Sequence, residues 1–162
     1  MKKFIKNLVF LMAGLTGGGM LGAAIMRHIK NKEINNTKRL SDKHLKMMHV
    51  LNQWLANQQA GADIGKYFEE NGYHTIAVYG LSYLGERLLA ALRETDIEVR
   101  YCIDRRADKM SGMGMVKTIG DDLPEVDAII VTAVYYFEEI EEELSEKIDC
   151  PIISLEDVVK RI

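Results

Sequence analysis

The stretch from Thr75 to Asp104, TIAVYGLSYLGERLLAALRETDIEVRYCID, decides the fold. It opens on the apolar run Thr75-Ile76-Ala77-Val78-Tyr79, short enough for a buried strand. Gly80-Leu81-Ser82-Tyr83-Leu84-Gly85 follows and leads into a segment where Leu84, Leu88 and Leu92 recur at the spacing of one helical face. A second apolar run, Val99 to Ile103, ends on Asp104.

Strand, glycine turn, helix, strand and terminal acid within 30 residues is the plan of a dinucleotide-binding βαβ unit. Gly80 permits a tight exit from the strand, and Gly85 lets the helix pack closely on the sheet. The middle position, where glycine normally lets the backbone approach a pyrophosphate, is Ser82, whose hydroxyl can donate to a phosphate at the helix N-terminus. Tyr83 either covers a ligand or caps the sheet edge. Asp104 lies 24 residues beyond Gly80, near the spacing of the acid that accepts hydrogen bonds from ribose, and reads equally well as a turn-former. Arg105 and Arg106 suit a 2′-phosphate or a sugar-linked diphosphate, or are solvated charges opening a loop.

Downstream, Ser111 to Gly114 is a loop and Met115 to Ile119 a short edge strand. Val126 to Val134, VDAIIVTAV, is the clearest buried parallel strand. A helix over Phe137 to Ile148 turns Phe137, Ile140, Leu144 and Ile148 inward and its glutamates outward. Pro151 to Leu155 supplies a last strand and Glu156 to Ile162 a closing helix. With right-handed crossovers the expected fold is α/β, a Rossmann-like five-stranded parallel sheet in the order 3-2-1-4-5. Ligands in such sheets lie beyond the carboxyl ends of the strands, where the order reverses. That gathers Gly80, Ser82, Tyr83, Gly85, Asp104, Arg105, Thr132 and Tyr135 around one crevice, with the ligand's identity left open between NAD(P) and a nucleotide sugar. Tyr135 and Tyr136 either stack on a base or sugar or are structural loop aromatics.

The N-terminal part has a different character. Residues 7–26, NLVFLMAGLTGGGMLGAAIM, carry no charge and as a helix span about 30 Å, the thickness of a bilayer core. They predict an uncleaved transmembrane helix, with a cleaved signal peptide as the rival reading. Arg27, Lys30, Lys32, Lys38, Arg39, Lys43 and Lys46 follow it, against Lys2, Lys3 and Lys6 before it, so the C-terminal domain is expected on the cytoplasmic side of the cell membrane, anchored by a single pass. Gly14, Gly18 and Gly22 share one helix face and suit a homodimer contact between membrane helices, or simply fill one. Gly17, Gly19 and Gly22 form a literal GxGxxG, but no second strand and terminal acid follow at the required distance.

Residues 31–41 are polar and basic, a linker or frayed helix. From Asp42 a helix carries an apolar stripe of Leu45, Met48, Leu51 and Leu55 with Trp54 nearby, and a second covers Ala62 to Glu70 with Ile64, Tyr67 and Phe68 inward. Asn71-Gly72 stops it. Such helices either pack on the sheet or pair with another chain. The division expected is 1–30 membrane anchor, 31–72 linker and helical stem, 73–162 Rossmann-like domain.

Composition narrows the function classes. Residues 1–46 carry ten Lys/Arg against two acids and the rest eleven against twenty-two, leaving the chain at −3. An acidic domain on a basic stem is a poor nucleic-acid binder, whereas the stem suits anionic lipid. Cys102 and Cys150 have no CxxC or His-rich surroundings, so they read as small buried hydrophobes and no metal site is expected.

The pieces at 52–85, 99–108, 123–140 and 151–158 resemble the small Rossmann-like domains of bacterial cell-surface polysaccharide biosynthesis proteins. The resemblance spans about two-thirds of the chain and implies binding of a nucleotide or nucleotide sugar; the first reading is a membrane-tethered module of that kind without chemistry of its own, serving polysaccharide assembly. An NAD(P)-dependent oxidoreductase or epimerase is the alternative, but no Tyr-xxx-Lys pair or nucleophile with its base accompanies the sheet. A ligand-free assembly scaffold is the third reading.

Overall fold

The computed structural model describes residues 2–107 and 116–162, and side chains from residue 26 onward. The chain divides into two compact units, Met1–His44 and Leu45–Ile162. Helix α1 (Lys2–Gln59) enters both. Residues 31–41 are helical throughout, not a linker. Neither Gly nor Pro occurs between Gly22 and Gly61, and the long polar side chains of Lys32, Glu33, Lys38 and Arg39 leave the backbone ladder intact while they project into water. In the first unit the side chains from Met26 to Asp42 are exposed. The expected membrane segment over 7–26 falls, Met26 apart, outside the described side chains, as does the Gly14, Gly18, Gly22 face. Among the described residues no helix is long and apolar enough to cross a membrane.

The second unit is an α/β sheet structure. Strands β1 (Thr75–Tyr79), β2 (Glu98–Ile103), β3 (Val116–Lys117), β4 (Ala128–Val131) and β5 (Ile152–Ser154) are all parallel. Their order is β3-β2-β1-β4-β5, as the sequence pattern predicts. Around them lie α2 (Ile64–Glu70), α3 (Tyr83–Leu92), α4 (Phe137–Ser145) and α5 (Leu155–Arg161). The Asp63 carboxylate caps α2 by accepting from the Gly65 N–H at 2.8 Å, and Gly72, at φ +74°, ends the turn beyond it.

Alternating residues of β1 and β4 point to opposite faces, so the sheet has two cores. On one, Ile76, Val78 and Ile130 meet Leu84, Leu88 and Leu92 of α3, Phe68 of α2 and Val158 of α5. On the other, Ala77, Tyr79, Tyr101 and Ile129 meet Ile140 and Leu144 of α4. Helices on both faces explain why β1 and β4 are apolar almost without interruption. Burial pushes the Cys102 thiol up to about 11, so at neutral pH it stays a protonated apolar filler.

Several elements differ from expectation. β3 ends at Lys117 rather than Ile119, because Thr118 begins a turn in which its N–H donates to the Asp121 carboxylate. β4 stops at Val131 rather than Val134, because the Thr132 hydroxyl turns back to the Gly80 carbonyl at 2.6 Å and a 3-10 turn, Val134–Tyr136, follows. α4 stops at Ser145 rather than Ile148, where the N–H groups of Lys147 and Ile148 both return to the Leu144 carbonyl at 2.9 and 3.0 Å. Over residues 45–59, α1 buries Val50 and Trp54 against the domain, each 4% exposed, and leaves Leu45, Met48 and Leu55 outside. Burying the large indole selects a face rotated from the leucine stripe.

Leu144 is fully buried while Glu142 is exposed. In urea unfolding at pH 7, Leu144→Ala is expected to cost about 2–5 kcal/mol and Glu142→Ala no more than about 0.5 kcal/mol.

Candidate functional site

Three strand ends meet at the turn after β1. Gly80 sits at φ +96°, in the left-handed region, and a Cβ there would come 2.9 Å from the Thr132 hydroxyl oxygen. A Cβ on Gly85 would overlap the Gly80 carbonyl oxygen, so the first turn of α3 packs directly on the backbone it leaves. These are the tasks the sequence pattern assigns to both glycines. Ser82 is the N-cap of α3, extended at φ −98° and ψ −167°, and its side chain makes no capping hydrogen bond. It is exposed, and Tyr83 beside it is 69% exposed. An anion placed here would meet the positive end of α3 and an uncommitted hydroxyl, opposed by Glu86 in the same first turn.

Asp104 is buried, and both of its carboxylate oxygens are engaged. Oδ2 accepts from the Leu81 N–H at 2.9 Å and Oδ1 from the Arg106 N–H at 2.8 Å, with Arg106 Nε 3.5 Å away. Burial pushes its pKa up, but the N–H groups of Leu81 and Arg106 and the Arg106 guanidinium outweigh that and hold the carboxyl below its usual range. The residue therefore clamps the end of β2 to the turn after β1. A ribose hydroxyl would have to share oxygens already in use.

Thr132 is also buried. Its hydroxyl proton is shared between the carbonyls of Gly80, at 2.6 Å, and Tyr79, at 3.1 Å, which ties β4 to β1 where the strand order reverses. Gly80, Ser82, Tyr83, Gly85, Asp104 and Thr132 are thus assembled around one turn. Arg105 leans elsewhere: its Nη2 lies 3.4 Å from Glu143 on α4, an exposed pair of little energetic weight. Tyr135 stacks edge-on against Tyr136 at 5.1 Å and lines a cavity of about 310 Å³ at the carboxyl ends of β4 and β5.

That cavity contains residues the sequence pattern does not single out. Lys46 of α1 reaches Glu156 of α5 at 3.0 Å across it, and Glu138, Glu139 and Asp157 complete an acidic rim. Lys160, hydrogen-bonded to Glu156, and then Lys46 hold the Glu156 carboxyl below its usual range against the opposing effect of burial. Nothing local marks Lys46, because its partner lies at the other end of the domain sequence. Among the described residues no group of three His, Cys, Asp or Glu is placed to hold a metal ion.

Replacing the Asp104 carboxylate tests the clamp. Asp104→Asn sets an amide donor against one of two N–H donors, that of Leu81 buried and that of Arg106 half-buried, at an expected cost of about 1–3 kcal/mol in chemical unfolding at pH 7. Because the folded pKa is depressed, the stabilisation is complete above the ordinary carboxylate value of about 4 and is lost as pH falls through the folded value. The gap between wild type and Asp104→Asn should therefore narrow in acid, and a gap unchanged from pH 7 down to about pH 2 would contradict the clamp.

No family model, no curated protein and no solved structure matches the chain.

Proposed function

We propose that this protein is a membrane-tethered module that binds a nucleotide or nucleotide sugar, performs no chemistry of its own, and serves cell-surface polysaccharide assembly. The observation that carries the binding half is the turn after β1. Gly80 is left-handed, Gly85 packs without room for a side chain, and Ser82 stands exposed at the N-cap with its side chain uncommitted to the helix. Backbone N–H groups at a helix N-terminus, beside a point where a parallel sheet reverses its order, are suited to a phosphate. A Rossmann-like domain is part of this reading. NAD(P) remains a candidate ligand by the same geometry.

The tether half draws on the uncharged run 7–26 and the cations that follow it, which favour a single membrane pass with the domain in the cytoplasm. The link to polysaccharide assembly draws on the resemblance carried by residues 52–85, 99–108, 123–140 and 151–158. One observation favours a second reading, a ligand-free scaffold: the acid that would hold a ribose already spends both oxygens inside the protein.

Thermal unfolding of the full chain in mild detergent separates the two. UDP-sugars, NAD or NADP at about a hundredfold excess over the dissociation constant should stabilise the fold by about 2.7 kcal/mol. Ser82→Asp supplies a good N-cap, so the free protein should hold or gain about 0.5–1 kcal/mol while its ligand shift disappears through repulsion of phosphate. The absence of any shift with all of these ligands would leave only the scaffold. For the tether, the full chain should stay with membranes after alkaline carbonate extraction, and removal of residues 1–30 should release it. Extraction of the intact chain would contradict the anchor.

A further inference from the structure

The carboxyl edge of the sheet is open on one side of the turn after β1 and closed on the other. On the open side Ser82 is exposed, and its side chain makes no capping hydrogen bond to α3. On the closed side lie the ends of β2 and β3, the position from which a dinucleotide-binding sheet ordinarily reads a ribose. The acid there, Asp104, already accepts a backbone N–H on each carboxylate oxygen, Leu81 at 2.9 Å and Arg106 at 2.8 Å. Each oxygen has a second lone pair, but the side chain is only 9% exposed and Arg106 Nε lies 3.5 Å from Oδ1.

The groups beside Asp104 are committed as well. Lys117 Nζ donates to the Asp122 carbonyl at 2.9 Å, the Thr118 hydroxyl donates to the Asp121 carboxylate at 3.1 Å, and Arg105 pairs with Glu143 at 3.4 Å. The Asp104 N–H is itself spent on the Lys117 carbonyl at 3.1 Å. A ribose hydroxyl therefore gains an Asp104 oxygen only at the expense of the Leu81 or the Arg106 N–H. The Leu81 N–H is buried, so that exchange removes as much hydrogen bonding as it adds.

We infer that the site reads the diphosphate of its ligand and not the ribose, an inference that rests on nucleotide binding at the turn after β1. The ligand class is accordingly wider than that of a ribose-reading sheet: 2′-deoxynucleoside diphosphates and their sugars bind as well as the ribonucleoside forms. Asp104 is a positioning residue that holds the turn through Leu81 and touches no ligand. One missing hydroxyl separates the two kinds of site sharply. A site built to hydrogen-bond a substrate hydroxyl rejects the analogue that lacks it by about 10⁴–10⁵-fold.

The test is a titration of the full chain in neutral detergent, by calorimetry, with UDP against 2′-deoxy-UDP and with ADP against 2′-deoxy-ADP. Each deoxy form should bind within about threefold of its ribo partner. A larger preference for the ribo form in either pair would overturn the inference and leave nucleotide binding standing. Binding of none of the four would overturn the nucleotide reading itself, and this inference with it. Hydrogen exchange supplies a second readout. The Leu81 and Arg106 amides, donors to Asp104 in the free protein, should keep their protection in saturating UDP. Loss of protection at either amide would place the ribose on Asp104 and overturn the inference as well.

Discussion

The approach of α3 to the backbone of Gly80 is the constraint on which the second unit depends. A side chain on Gly85 would occupy the space of the Gly80 carbonyl oxygen, so the first turn of the helix sits on the chain end that leads into it. That contact fixes the direction of α3 and, with it, which of its residues face the sheet: Leu84, Leu88 and Leu92 fall on Ile76, Val78 and Ile130. Two side-chain ties hold the turn from either side. Thr132 brings β4 to the Tyr79 and Gly80 carbonyls, and Asp104 brings the end of β2 to the Leu81 N–H. Both ties are buried, where an unmatched polar partner is costly, so the geometry of three strand ends is set by a handful of bonds.

The same turn is the part of the fold most legible in the sequence. Its information is local: strand, glycine, helix and acid follow each other within 30 residues, and each residue type has a steric or hydrogen-bonding reason to be there. The sheet order follows from handedness once the elements are recognised. Long-range choices are less visible. Both the leucine stripe and the Val50–Trp54 face of α1 have helical spacing, and only packing against the domain decides between them. VDAIIVTAV is strand-forming along its whole length, yet the hydroxyl of Thr132 finds the Gly80 carbonyl and ends β4 at Val131. For Asp104 the spacing fits a ribose ligand and a clamp equally, and which bonds its oxygens make depends on where Leu81 and Arg106 present their N–H groups.

The proposed function draws on how the polar groups are divided at the carboxyl edge of the sheet. The turn after β1 offers a helix N-terminus and the Ser82 hydroxyl, chemistry suited to an anion. The neighbouring cavity at β4 and β5 offers tyrosines and a rim of carboxylates bridged by Lys46, chemistry that repels one. Under that proposal a nucleotide with its phosphates at the first would have Tyr135 on the side away from the phosphates.

A two-dimensional amide NMR titration of the full chain in detergent micelles with UDP and with ADP tests nucleotide binding at the turn after β1 most directly. Concentration-dependent shifts are expected, centred on the amides of Leu81, Ser82, Tyr83 and Gly85, with those of α2 unmoved. Saturating nucleotide that leaves these four amides in place, or that moves only residues around Tyr135 and Glu156, would contradict it.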